Sequence, residues 1–224
     1  ETGDGVNRDE NAAFDLMESS AWAGSGPGQR ELGRYYEYGI GTQKDEATAV
    51  LWYRKAAGQG DEEAQCSLAF CLENGIGTGR DQDQAMELYR QAARGGSLRA
   101  MTNIYILARE RGKAEEMGEA LEYLKTASAR GYVPAVWRLG CHYYYRDDPT
   151  GASAARAVEL FQAAAIREDP AGCYQLGRAF WDGRGVKKDE KQAFRWFHTS
   201  AGLGDPAGQF FTGFCYEQGR GVEK

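Results

Sequence analysis

Residues 28–63 read GQRELGRYYEYGIGTQKDEATAVLWYRKAAGQGDEE, and residues 64–99 read AQCSLAFCLENGIGTGRDQDQAMELYRQAARGGSLR. Laid over one another, the two stretches place Leu32-Gly33 on Leu68-Ala69, Gly39-Ile40-Gly41 on Gly75-Ile76-Gly77, Asp45 on Asp81 and Ala49 on Ala85. Self-similarity at a fixed step is the mark of a repeat architecture, so the extent of this register decides the fold. It runs along the chain: Leu32-Gly33, Leu68-Ala69, Ile104-Tyr105, Leu139-Gly140, Leu176-Gly177 and Thr212-Gly213 recur at steps of 36, 36, 35, 37 and 36 residues. Ala13, Ala49, Ala85, Ala120, Ala157 and Ala193 keep the same step, each followed four residues later by Met17, Tyr53, Tyr89, Leu124, Phe161 or Phe197. Residues three and four apart share a helix face, so every unit carries an amphipathic helix.

Each unit divides into two helices. Helix A, for example 63–73, places Ala64, Leu68 and Leu72 on one stripe. Helix B, for example 45–57, opens on Asp45, whose carboxylate can accept the orphan N–H groups of the first turn, and Asp81 and Asp189 stand in the same place. Between A and B lie Gly39-Ile40-Gly41, Gly75-Ile76-Gly77, Gly183-Arg184-Gly185 and Gly219-Arg220-Gly221, which end one helix and reverse the chain. Between B and the next A lie Gly60-Asp61, Gly96-Ser97, Gly131-Tyr132 and Gly204-Asp205-Pro206. Gly33, Gly140, Gly177 and Gly213 sit inside helices, where glycine costs about 0.5–1 kcal/mol relative to alanine, an expense that suits a closely approaching neighbour.

The set Leu176-Gly177, Phe180, Gly183, Gly185-Val186, Asp189, Ala193, Trp196-Phe197 and Ser200-Ala201 resembles the Sel-1-like repeat, a relative of the tetratricopeptide repeat. Leu32-Gly33, Tyr36, Gly39, Gly41, Asp45, Ala49, Trp52-Tyr53 and Lys55-Ala56-Ala57 match it more closely still. The resemblance covers essentially the whole chain and implies an all-α fold, a right-handed α/α superhelical solenoid whose concave surface binds proteins or peptides. The expected organisation is a single solenoid over 1–224: a half-repeat at 3–27, repeats at 28–63, 64–99, 100–134, 135–171 and 172–207, and a half-repeat at 208–224. Gly3-Asp4-Gly5-Val6 matches Gly183 to Val186, so the sequence opens and closes in A–B turns. It reads as an excerpt of a longer array, or one whose end a partner buries. Self-association through the last helix, with Phe210, Phe211, Phe214 and Tyr216, is one expectation. Two units depart from the turn pattern: repeat 3 reads LARERGK over 107–113 and repeat 4 reads YYYRDDP over 143–149, so irregular A–B loops are expected at about 111–118 and 146–154.

Composition narrows the function. A net charge of −6 gives no general attraction for phosphate backbones, so nucleic acid is not expected as a partner, and no apolar run is long enough for a membrane span. Cys66, Cys71, Cys141, Cys173 and Cys215 are odd in number, lack a disulfide-framework spacing and fall in A helices as buried hydrophobes, which points to a reducing compartment. His142 and His198 lie in different repeats outside any metal-ligand spacing, and no acid–base pair or nucleophile stands out, so no catalytic residue, metal or cofactor is expected. Gly75-Ile76-Gly77-Thr78-Gly79-Arg80 looks like a phosphate-cradling loop only superficially, because such loops follow a strand.

Binding has more support. If helix A faces the groove, as in tetratricopeptide units, the partner-contacting residues are Arg34, Phe70, Arg109, Tyr144, Tyr145, Arg178, Trp181 and Phe214. Tyrosine, tryptophan and arginine dominate binding hot spots. Tyr144, Tyr145 and Trp181 are equally readable as inter-repeat packing, and Trp137, Tyr174 and Phe210 are read as packing. The expected function is a protein-interaction scaffold holding a peptide or partner protein; the alternative is a small-molecule or glycan receptor with aromatic platforms in repeats 4–6.

Overall fold

The computed structural model describes residues 9–222. The match at Gly3-Asp4-Gly5-Val6 lies outside the described residues. Among those described there are twelve helices and no strand: α1 Glu10–Trp22, α2 Gly26–Tyr38, α3 Glu46–Gly58, α4 Glu62–Asn74, α5 Gln82–Gly95, α6 Leu98–Arg111, α7 Ala114–Ala129, α8 Val133–Tyr144, α9 Ala152–Ala165, α10 Pro170–Asp182, α11 Glu190–Gly202 and α12 Pro206–Gln218. Even-numbered helices are the A helices and odd-numbered ones the B helices. The chain forms two compact units, Glu1–Tyr123 and Leu124–Lys224, divided inside α7. In each unit the A helices pack most extensively on the B helix that follows, α2 on α3 and α4 on α5 in the first, α8 on α9 and α10 on α11 in the second.

Local chemistry explains the helix limits. The side chains of Asp45, Asp81 and Asp189 accept the N–H groups of Thr48, Gln84 and Gln192, satisfying first-turn donors that have no carbonyl partner within the helix. At the other end of helix A, Gly75 takes φ +72° and the Ile76 N–H reaches back to the Cys71 carbonyl at 2.9 Å, closing the last turn. Asp81 then donates its own N–H to the Leu72 carbonyl at 2.8 Å, which ties the start of helix B to the end of helix A.

Packing explains the two small positions in helix A. A methyl group on Gly33, Gly140 or Gly177 would lie 2.6–2.7 Å from a ring carbon of Tyr53, Phe161 or Phe197 on the following B helix. One on Gly172 would crowd Ala164 of the B helix before it. The helix α10 is thus notched on both sides, against α9 and α11. The buried alanines Ala49, Ala85, Ala157 and Ala193 provide the matching close approach from helix B.

The two departures from the turn pattern resolve differently. Repeat 3 does not carry the irregular loop expected at 111–118, because α6 runs to Arg111, Gly112 caps it with φ +65°, and α7 begins at Ala114. Repeat 4 keeps a connection of ordinary length, 145–151, matching 39–45, 75–81 and 183–189, but closes it differently. There the Asp148 carboxylate accepts from the backbone of Thr150 at 3.0 Å and of Ser153 at 2.7 Å, taking over the capping role that the residue just before the helix plays elsewhere. The Thr150 hydroxyl also donates to this carboxylate, at 2.7 Å, and that bond first, with the backbone bonds, stabilises the ionised form and pulls the Asp148 pKa down.

Candidate functional site

The place four residues after the inner small position of helix A is occupied in turn by Glu37, Glu73, Arg109, Tyr144, Trp181 and Glu217. What fills it depends on the facing B helix. In the first unit the Tyr53 hydroxyl donates to Glu37 at 2.5 Å and the Tyr89 hydroxyl to Glu73 at 2.7 Å. In the second unit the facing residues are Phe161 and Phe197, which have no hydroxyl to give. Tyr144 and Trp181 replace the carboxylates there, with ring centroids 5.7 Å from Phe161 and 6.2 Å from Phe197. A phenylalanine would leave a buried carboxylate without its donor, whereas an aromatic pair needs none. The same site in the repeat is therefore polar where the facing B-helix residue is tyrosine and aromatic where it is phenylalanine.

The polar version has a measurable consequence. Glu73 is only 8% exposed, and burial raises its pKa while the Tyr89 hydrogen bond draws it back down. A folded-state value above the unfolded one favours folding below the unfolded pKa, and that contribution is lost as pH rises through the folded one. Tyr89→Phe removes the donor to the charged form, so Glu73 should rise further. The variant is expected to lose about 1–3 kcal/mol of stability near pH 7, and less near pH 4, where Glu73 holds its proton. Urea unfolding at the two pH values checks this; a loss independent of pH would contradict it.

Of the residues expected in the groove, Arg34, Phe70 and Arg109 stand exposed on α2, α4 and α6 of the first unit. Arg34 is paired with Glu31 at 2.9 Å, and Phe70 is 45% exposed. The second unit brings the others together. Tyr145 is 57% exposed at the end of α8. Arg178 on α10 donates Nη1 to the Tyr174 hydroxyl and Nη2 to Asp182 Oδ2, both at 3.3 Å, and its guanidinium lies 5.9 Å from the Phe211 ring of α12. Trp181 meets Phe214 edge-on at 6.0 Å and carries Arg220 over its face at 4.1 Å. Arg220 is itself paired with Glu190.

Tyr144 is the correction to the expected set. It is 2% exposed and lies beneath the face, where its hydroxyl donates to Asp182 Oδ2 at 3.0 Å. Its role is to hold the carboxylate that also binds Arg178. Burial raises the Tyr144 phenol, so it remains a donor. Phe210, read as packing, is instead 67% exposed. Tyr174 does pack, on Phe197 at 6.0 Å and Phe211 at 5.7 Å, but it also orients Arg178. Tyr174 and Asp182 were missed as groove residues, although both lie four positions from Arg178 on the same helix face and that spacing was open to reading.

None of the cysteines offers a ready nucleophile. All five cysteines are buried, and burial pushes the thiols of Cys66 and Cys173 up to about 11 and that of Cys71 to about 12, far from the thiolate form a nucleophile needs. Among the described residues there is no cluster of His, Cys, Asp and Glu suited to a metal ion, and no helix is long and apolar enough to cross a membrane.

The family model described as Sel1 repeat matches residues 1–25, 26–61, 62–97, 105–132, 133–169, 170–205 and 206–224. No curated protein sequence matches the chain. Among solved structures, it is similar to a protective antigen of uropathogenic Escherichia coli displaying an SLR fold, with 30% identity over 98% of this chain and 55% of that one and a TM-score of 0.61. The chain thus spans about half the length of that antigen. A Sel1 repeat protein from Oxalobacter formigenes matches at 24% identity over 97% of this chain and 92% of its own, TM-score 0.78. An immunity protein from Pseudomonas aeruginosa shares the fold at 18% identity over 91% of this chain and 78% of its own, TM-score 0.60.

Proposed function

Because the chain belongs to the Sel1 repeat family, whose members generally mediate protein–protein interaction and are generally non-enzymatic scaffolds, we propose that it binds a partner protein or peptide through the exposed face of its A helices. The observation that carries this reading is the group in the second unit. Tyr145, Arg178, Trp181 and Phe214, from three successive A helices, hold partly or largely exposed aromatic and guanidinium surface beside Phe211. Large rigid rings with a polar edge lose little conformational entropy on contact, and a few such residues supply most of a typical interface energy. Arg34, Phe70 and Arg109 offer the equivalent face of the first unit. The receptor alternative has less support, because it needs Tyr144 as an aromatic platform and Tyr144 is 2% exposed.

The test is affinity capture with the intact protein, the partner being identified by mass spectrometry and then compared on a Tyr145→Ala/Trp181→Ala variant of unchanged helicity. Each truncated hot-spot side chain should cost about 2 kcal/mol of binding, so the variant is expected to lose the partner. Equal capture by both proteins would overturn the assignment of this face.

A further inference from the structure

Charge is divided unevenly along the chain. Residues 1–123 carry 13 Lys and Arg against 22 Asp and Glu, a balance of −9, whereas residues 124–224 carry 14 against 11, a balance of +3. The net −6 of the whole chain conceals a cationic second unit. On the A-helix face of that unit the central cation is Arg178, and its charge is only partly met. Both of its hydrogen bonds are long at 3.3 Å, and among the described residues its Nε has no acceptor. Its one carboxylate, Asp182, is shared with the Tyr144 hydroxyl at 3.0 Å. Around this guanidinium stand the rings of Tyr145, Tyr174 and Phe211, with Trp181 and Phe214 beyond.

We propose that this face of the second unit takes an acidic peptide segment that also carries aromatic side chains, a carboxylate of the segment meeting Arg178 and its rings lying against Tyr145, Phe211 and Trp181. The inference rests on the interaction reading above and gives the partner its chemistry. A partner carboxylate completes the donor set of Arg178 with a charge-assisted bond, while adjacent rings exclude water from it. A basic segment would meet the same guanidinium with like charge. Nucleic acid suits the face less well, because affinity for phosphate backbones is built from many Lys and Arg contacts, whereas here a single arginine stands at the centre of the face.

Fluorescence anisotropy on the full chain tests this with a labelled eight-residue peptide of alternating Glu and Phe, a version with Lys for Glu, a version with Ala for Phe, and a labelled oligo-dT of eight nucleotides. The Glu/Phe peptide is expected to bind about tenfold or more tightly than either altered peptide, and Arg178→Gln to weaken it by about tenfold, as for a lost charge-assisted hydrogen bond. Arg178→Lys keeps the charge and should retain part of the affinity, which separates loss of recognition from loss of fold; circular dichroism of each variant provides the second control. Equal binding of the Lys peptide, an unaffected Arg178→Gln variant, or oligo-dT binding as tight as the peptide would overturn the proposal. If the captured partner depends on Tyr145 and Trp181 but its contacting segment is basic or neutral, the interaction reading stands and this chemistry falls.

Discussion

Arg111→Ala is expected to lower the free energy of unfolding by about 3–5 kcal/mol, the range for breaking one side of a buried ion pair. Repeat 3 lacks the Gly-x-Gly turn, and Arg111 replaces what that turn contributes. In repeats 2 and 5 the second turn glycine, Gly77 or Gly185, sits against the first-turn carbonyl of the B helix before it, that of Glu46 or Ala154. The equivalent carbonyl in repeat 3 belongs to Gln82, and Arg111 Nη1 donates to it at 3.0 Å. The same guanidinium, its side chain 7% exposed, also reaches Asp83 at 2.5 Å and Glu116 at 3.1 Å. Alanine would leave Glu116, itself 13% exposed, with only the more distant Lys113 ammonium at 3.8 Å, and Oε2 of that carboxylate already lacks a hydrogen bond. Arg90→Ala is the control: Arg90 pairs with Glu119 on the surface, and such pairs contribute about 1 kcal/mol or less. Urea denaturation with a common slope compares the two; a loss for Arg111→Ala no larger than for Arg90→Ala would refute the substitution of arginine for turn glycine. The double variant Arg111→Met/Glu116→Leu should recover most of the loss, because removing both charges also removes the desolvation they carry.

That device also marks the boundary of what the sequence discloses. The 36-residue register, the alternation of A and B helices and their capping aspartates are local or periodic properties, and the observed helix limits follow them within a residue or two. The repeat-3 turn is different. The bond from Arg111 to Gln82 depends on a side chain reaching back across 29 positions, a contact with no periodic trace, so the missing glycines read as an irregular loop when they signal a replaced one. The misplacement of Tyr144 has a related cause. Its place in the register is the place of Glu37, Glu73 and Trp181, and whether that place faces solvent is decided by the ring opposite and by the next A helix. The exchange of Tyr–Glu for Phe–Tyr and Phe–Trp was present in the sequence as a correlated change at two register positions sixteen or seventeen residues apart. Reading each ladder alone hides it, and reading the two together reveals which residues touch.

Within a single turn, Gly75-Ile76-Gly77-Thr78-Gly79, alanine substitution should give three separate outcomes, with Gly77→Ala costing about 3 kcal/mol or more. Gly79 has no positive φ and open space where a Cβ would stand, so Gly79→Ala should be neutral, or stabilising by about 0.4–1 kcal/mol through a less disordered unfolded chain. Gly75 sits at φ +72°, but the nearest atom to a new Cβ is Arg80 Cβ at an ordinary 3.5 Å, so only the left-handed backbone is penalised, by about 1–2 kcal/mol. Gly77 combines φ +64° with an overlap of any Cβ with the Glu46 carbonyl, and a backbone carbonyl cannot rotate aside as a side chain does. Relief requires α4 and its turn to move off α3, which adds about 1–3 kcal/mol of the kind seen when a packed interior is overfilled. Urea unfolding of the three variants orders them, and a Gly77→Ala loss equal to that of Gly75→Ala would mean that the carbonyl contact sets nothing. The second unit repeats the arrangement with Gly185 against Ala154. There the turn follows α10, which carries Arg178 and Trp181, so the contact that fixes the turn on α9 also fixes where those side chains stand. Gly185→Ala should therefore weaken partner binding together with stability, whereas Gly79→Ala should change neither by much.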